Sequence, residues 1–198
     1  MKNVLLIASI LTVAVISTAC INNLAVQDLN NKAQAYAEKG DYTQAIERLK
    51  SSIDLDPSVF ETHYNLAIVY TKSGDYINAI EEYKTVISMK PEMADSYYSL
   101  ATAENNLAIE MERGNYKLNQ EGSLTAALSD EEREAEMTED EKTLMKELYD
   151  SAIKNYEKYL ELNPDAEDKS EVNETIERIK KYQNPPEEED AEEVLLKN

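Results

Sequence analysis

The chain has no tryptophan, a single phenylalanine (Phe60), one cysteine and one histidine, with only four glycines and five prolines. Each scarcity removes a class of protein. One cysteine cannot make an intramolecular disulfide framework, and one histidine, His63, cannot build a His-rich metal site. The four glycines are isolated and mostly end helices, so no glycine-rich loop exists to cradle a phosphate. So few turn formers cannot serve a β-sandwich, whose short strands each need a turn. The composition is helical. Basic residues are scarce as well: 20 Lys and Arg face 40 Asp and Glu, a formal charge of −20. Such a chain repels nucleic-acid phosphates and anionic headgroups, so no nucleic-acid partner is expected. Asp54-Leu55-Asp56 lacks the glycine and downstream glutamate of a calcium loop and reads as a helix end. No metal and no cofactor are expected. Carboxylate pairs abound at helical spacing, but acid/base catalysis needs burial and unequal environments. His63 falls at a packing position, and the chain reads as a non-enzyme.

What is present is a repeat. Gly40-Asp41-Tyr42-Thr43-Gln44-Ala45-Ile46-Glu47 returns 34 residues on as Gly74-Asp75-Tyr76-Ile77-Asn78-Ala79-Ile80-Glu81. The same offset relates Asn31 to Asn65, Ala33 to Ala67, Tyr36 to Tyr70, Lys50 to Lys84, Ile53 to Ile87 and Pro57 to Pro91. A fixed period of this length means one helical hairpin repeated, each copy burying its apolar face on the next. With 198 residues and 42% hydrophobic content, one domain with a sizeable core is within reach.

These residues resemble the tetratricopeptide repeat, in which a small residue and an aromatic on the first helix are followed by Gly-Asp-Tyr, alanine on the second helix and proline at the exit. Repeat one, 26–59, supplies Ala33, Tyr36, Ala45, Leu49, Ile53 and Pro57; repeat two, 60–93, supplies Leu66, Ala67, Tyr70, Ala79, Tyr83, Ile87 and Pro91. Lys32 stands where leucine is usual, and Ser52 and Val86 replace a small alanine. The third repeat, 94–164, is split. Tyr97, Leu100 and Ala101 begin it in register, but Ala108 occupies the glycine position and the first stop is Arg113-Gly114. Tyr149, Ala152, Ile153, Tyr156, Tyr159 and Leu160, closed by Asn163-Pro164, supply its second half, which implies an insert of about 39 residues, 109–147. Thr138-Glu139-Asp140-Glu141 reads as a capping box, so one helix over 139–162 is predicted. The acidic tip at 116–137 is expected to carry short helices after Ser123 and Ser129. Val172, Ile176 and Ile179 mark a capping helix over 170–182, and 183–198 read as a disordered acidic tail. The expected fold is therefore an all-α solenoid of three helical hairpins plus a cap.

The amino terminus has a different character. Met1-Lys2-Asn3 is a short positive start, 4–16 is an unbroken apolar or small-residue run, and Ser17-Thr18-Ala19 precedes Cys20. The run is shorter than the ~20 residues that span a bilayer. The stretch 1–19 resembles a bacterial lipoprotein signal peptide, with Ser17 standing where leucine is usual. The resemblance implies that Cys20 becomes the first mature residue and carries the lipid. It further implies an exported, membrane-tethered protein of the cell envelope facing the periplasm.

Thirteen tyrosines mostly occupy core positions, but Tyr64 and Tyr98 fall where the resemblance places the concave groove. Asn30, Gln34, Asn65, Ile68, Thr71, Thr102 and Asn105 join them by the same register. Aromatic anchors among amides suit an extended peptide, whose backbone needs hydrogen-bond partners. Family members that clamp a terminal carboxylate place lysine and arginine in the third repeat's groove, where this chain has Asp95 and Ser99. The expected function is a scaffold or adaptor that captures a peptide or helix of another envelope protein. The alternative is an accessory subunit of a periplasmic solute-uptake system, and a third reading is homo-oligomer formation through the split hairpin.

Overall fold

The computed structural model describes residues 23–184. Cys20, the 1–19 leader and the tail from 185 onward lie outside the described residues. The described residues divide between Pro91 and Glu92 into two compact units.

The first unit holds α1 (23–37), α2 (Tyr42–Leu55), α3 (Phe60–Ser73) and α4 (Tyr76–Met89). Each Gly-Asp-Tyr motif makes one turn by a division of labour. Gly40 (φ 77°) and Gly74 (φ 81°) take the left-handed conformation that closes a helix. This lets the Asp41 N–H reach the Tyr36 carbonyl at 3.0 Å and the Asp75 N–H reach that of Tyr70 at 2.9 Å. The same aspartates then cap the next helix, accepting from the backbone N–H of Gln44 (3.1 Å) and Asn78 (3.3 Å). At the other end, Asp56 and Lys90 leave helical geometry just before Pro57 and Pro91, because proline's ring disfavours a helical predecessor. Ala45, Leu49, Leu66, Ala67, Tyr70, Ala79, Tyr83 and Val86 are buried, so the alanines let helices approach while the larger residues fill the space between.

The second unit begins with α5 (Ala94–Glu112), which runs past the point where the regular repeats turn and stops at Gly114. It continues with β1 (Tyr116–Leu118), β2 (Leu124–Ala126), α6 (Asp130–Glu134), α7 (Glu139–Leu162) and α8 (Lys169–Gln183). Helix α7 has the predicted bounds, opened by a complete capping box between Thr138 and Glu141. Gln183 belongs to α8, and its side chain donates to the Lys146 carbonyl and the Asp150 carboxylate. Its core joins Ala101 and Ala108 of α5, Tyr149, Ala152, Tyr156 and Tyr159 of α7, and Val172, Ile176 and Ile179 of α8.

The tip differs from expectation. Ser129 does cap a short helix, α6, but residues after Ser123 form β2 instead, paired antiparallel with β1 through Lys117 and Thr125. The loop explains this. The Asn119 side chain accepts from the Glu121 and Ser123 N–H groups, a turn-forming arrangement that competes with helix. Alternating Tyr-Lys-Leu and Leu-Thr-Ala on either side then zip together.

Candidate functional site

A cleft of about 320 Å³ opens between α1 and α3. Its floor is apolar, made by Ala33, Ala37, Leu49, Ile68 and Val69, and its rim is polar, made by Asn30, Gln34, Glu38, Asn65 and Lys72. A second cleft of about 510 Å³ continues toward the start of both helices, lined by Asn23, Val26, Gln27, Ser58, Val59, Glu61 and Thr62. Asn30 and Asn65 line both clefts and stand at their junction.

That junction is a fixed polar device. The Asn30 side-chain nitrogen shares its two N–H groups among the Val26 carbonyl (2.9 Å), the Ser52 hydroxyl (2.9 Å) and the Thr62 hydroxyl (3.0 Å). Ser52 and Thr62 are fully buried. A carbonyl can only accept, so the contact with Val26 settles which end of the amide points inward. The Asn30 oxygen therefore faces outward, and it accepts from the Asn65 side-chain nitrogen at 3.1 Å. Along the rim, Gln34 donates to Glu38 at 3.0 Å, one turn further on α1.

Four of the sequence-predicted groove residues, Asn30, Gln34, Asn65 and Ile68, thus meet in one place. Tyr64 and Thr71 do not line either cleft. The Tyr64 ring stands edge-on to Tyr83, with centroids 5.9 Å apart, and the Thr71 hydroxyl bonds to the Ala67 carbonyl and the Tyr83 hydroxyl. In the second unit, Tyr98 packs against Tyr156 (5.7 Å) and Tyr159 (5.2 Å), so it is an element of the α5–α7 contact. Burial, then the charges of Asp168 and Glu171, push its phenol above the usual range. The Thr102 hydroxyl meets that of Tyr156 at 3.1 Å, and Asn105 is half-buried on α5. His63 is packed as expected, its ring nitrogens 2.7 Å from Glu82 and 3.1 Å from the Pro57 carbonyl.

Sequence reasoning missed Glu38, Leu49, Glu61 and Lys72 at the clefts. A signal existed for two of them: Glu38 and Lys72 lie one turn beyond Gln34 and Ile68, on the same helix faces. It also missed two buried carboxylates. Glu104, 1% exposed, accepts from Ser151 and Asn155 of α7, both at 2.8 Å. Glu141, 3% exposed, accepts from the Leu118 N–H at 2.9 Å and the Thr138 N–H at 2.8 Å, with the Lys117 ammonium 3.9 Å away. Burial alone would raise the Glu141 carboxyl, but those N–H groups and Lys117 outweigh it and hold the carboxyl below the usual range.

Residues 33–74 match a family model described as TPR repeat, and residues 60–93 match one described as tetratricopeptide repeat. No curated protein matches the sequence. Among solved structures, the first TPR domain of Spaghetti (RPAP3), bound to the HSP90 peptide SRMEEVD, is similar at 18% identity and a TM-score of 0.55 over 81% of this chain and 94% of that one. The second TPR domain of human RPAP3, in complex with the HSP70 peptide SGPTIEEVD, gives 15% identity and a TM-score of 0.55 over 80% and 98%. The Sgt2 TPR domain from Aspergillus fumigatus gives 17% and 0.56 over 82% and 83%. At these identities the likeness establishes the fold. The chain is an all-α protein of helical hairpins, and its residues 33–93 are tetratricopeptide repeats.

Proposed function

We propose that this protein is a non-enzymatic interaction module of the bacterial cell envelope, tethered to a membrane through Cys20, which captures an extended peptide of a partner protein along the α1–α3 cleft. The observation that carries the reading is the Asn30–Asn65 pair. Buried hydroxyls orient the Asn30 amide, which in turn holds the Asn65 amide over an apolar floor, and this is the chemistry that an extended backbone needs from a surface. Peptide-bound TPR domains among the similar structures support the mode of binding. They do not carry the ligand over: those peptides end in Glu-Glu-Val-Asp, whereas this chain has Asp95 and Ser99 where a carboxylate clamp needs cations. The leader-like run before Cys20 supports export and lipidation.

Affinity capture from native membranes, comparing the natural chain with the Gln34→Ala, Asn65→Ala double variant, tests the cleft. Both side chains are exposed, so the melting temperature should stay constant while the partner is lost. Retention of the same partner by the double variant would refute the cleft as its site. Cys20→Ala should move the protein from membranes to the soluble fraction, and unchanged membrane retention would refute lipid tethering.

A further inference from the structure

We infer that the α1–α3 cleft selects a cationic peptide: an extended segment that places an apolar side chain over Ile68 and a lysine or arginine beside Glu61. The inference rests on the reading of this cleft as the partner site and adds the chemistry of the occupant. Because the Asn30 nitrogen is committed inward to Val26, Ser52 and Thr62, its oxygen faces out. Asn65 spends one side-chain N–H on that oxygen, which leaves one N–H against two carbonyl oxygens, its own and that of Asn30, for an occupant. The centre of the groove is therefore rich in acceptors, and an occupant must bring donors: backbone N–H groups and cationic side chains.

The two clefts meeting at this junction differ. The one on the Ile68 side has an apolar floor and carries one acid and one base, Glu38 and Lys72, so its charges balance. The other, among the described residues, carries Glu61 as its sole charged residue beside Asn23, Gln27, Ser58 and Thr62. Glu61 is exposed and lies in the first turn of α3. Same-side residues of an extended chain lie about 6.6 Å apart, and the long stem of a lysine or arginine covers the rest of the ~10.5 Å that separates Ile68 from Glu61 along α3. One peptide crossing the junction thus offers one side chain to each cleft while its backbone passes the amides. The long-range field points the same way, since a net charge of −20 draws in cations and repels acidic peptides.

The test is a polarisation titration of the full chain at about 0.15 M salt, where charges beyond about 8 Å are screened, with two fluorescein-labelled probes, GALAKAG and GALAEAG. The lysine probe should bind at least about fivefold tighter, because the exchange replaces attraction with repulsion at a solvent-exposed carboxylate. Glu61→Gln should shrink that ratio toward one, and Asn65→Ala should weaken both probes together. Equal binding, tighter binding of the glutamate probe, no binding of either, or a ratio indifferent to Glu61→Gln would each overturn the inference. If native partner capture still depends on Gln34 and Asn65 in those cases, the cleft stands as the partner site and only its cationic preference falls.

Discussion

Glu141→Ala should detach the β1–β2 hairpin from α7 while leaving the α5–α7–α8 core in place. The carboxylate joins the start of α7 to the strand edge. It closes the capping box on Thr138 and takes the outward-facing N–H of Leu118. Loss of a helix cap costs about 0.5–2 kcal/mol, and loss of a hydrogen bond to a charged group costs about 1.5–3 kcal/mol. The two share one side chain and overlap, so the combined loss is about 2–4 kcal/mol. Tyr149, Ala152, Tyr156 and Tyr159 lie further along α7 and keep their own partners, which confines the damage to the tip. Hydrogen exchange read by mass spectrometry should show protection in 116–126 falling by about 30- to 700-fold, at 1.4 kcal/mol per tenfold. Exchange in 149–160 should hardly change. Acidity should act through the same group. Its carboxyl is held below the usual range in the folded state, so its contribution is whole above the unfolded value of about 4.3 and disappears as pH falls through the folded value. Glu141→Gln should abolish that acid-dependent step. If Glu141→Ala leaves exchange of 116–126 unchanged, the carboxylate does not hold the hairpin and the reasoning fails.

Gly114→Ala should be destabilising by more than about 1 kcal/mol, because Gly114 has φ 75° and an added Cβ would stand 2.1 Å from the backbone oxygen of Arg133; an unaltered melting temperature would contradict that approach. Burial and the Glu112 charge push the Tyr149 phenol up to about 12, and the hydrogen bond to Asp168 together with burial does the same for Tyr159. Both are raised, so their contribution is whole below the unfolded phenol value of about 10 and erodes as pH climbs through about 12; helicity and tyrosinate absorbance should change together in that window, and helicity that outlasts tyrosine ionisation would count against the assignment. Ser52→Ala should cost about 1 kcal/mol by removing a buried partner of Asn30, whereas Gln34→Ala should stay within about 0.5 kcal/mol, as paired thermal melts will show.

The parts legible in the sequence were those decided locally. Helix α7 was readable because a capping box and an unbroken apolar spacing both act within one helix. Asn30, Gln34, Asn65 and Ile68 were named through the resemblance to the tetratricopeptide repeat, which assigns groove positions on the first helix of each hairpin, and the four line one cleft. The hairpin was not, since three-residue strands carry little periodicity and the deciding bonds come from Asn119 in the loop. Glu104 and Glu141 were hidden for a different reason. In a chain with 40 acidic residues, nothing local distinguishes a buried carboxylate from a solvated one. The partners of Glu104 lie 47 and 51 residues away, and the hairpin contact of Glu141 lies 23 residues away.

The repeat register also shows where this chain departs from its own pattern. The position of Asn30 recurs 34 residues on as Tyr64 and again as Tyr98, and that of Ser52 recurs as Val86. In repeat one the pair is an amide bonded to a buried hydroxyl. In repeat two the hydroxyl becomes buried Val86, and the aromatic that replaces the amide turns its ring against Tyr83. In the third hairpin the aromatic turns against Tyr156 and Tyr159. One register position therefore supplies packing in two hairpins and an oriented polar group in the first. An aromatic there needs no hydroxyl beneath it, whereas the inward-turned nitrogen of Asn30 needs an acceptor; Ser52 supplies one, and Val86, the other departure from the usual small alanine, does not. Asn30 and Ser52 together make a fixed acceptor that neither makes alone, which is why the proposed recognition site falls in the first hairpin although it is one of the two regular repeats.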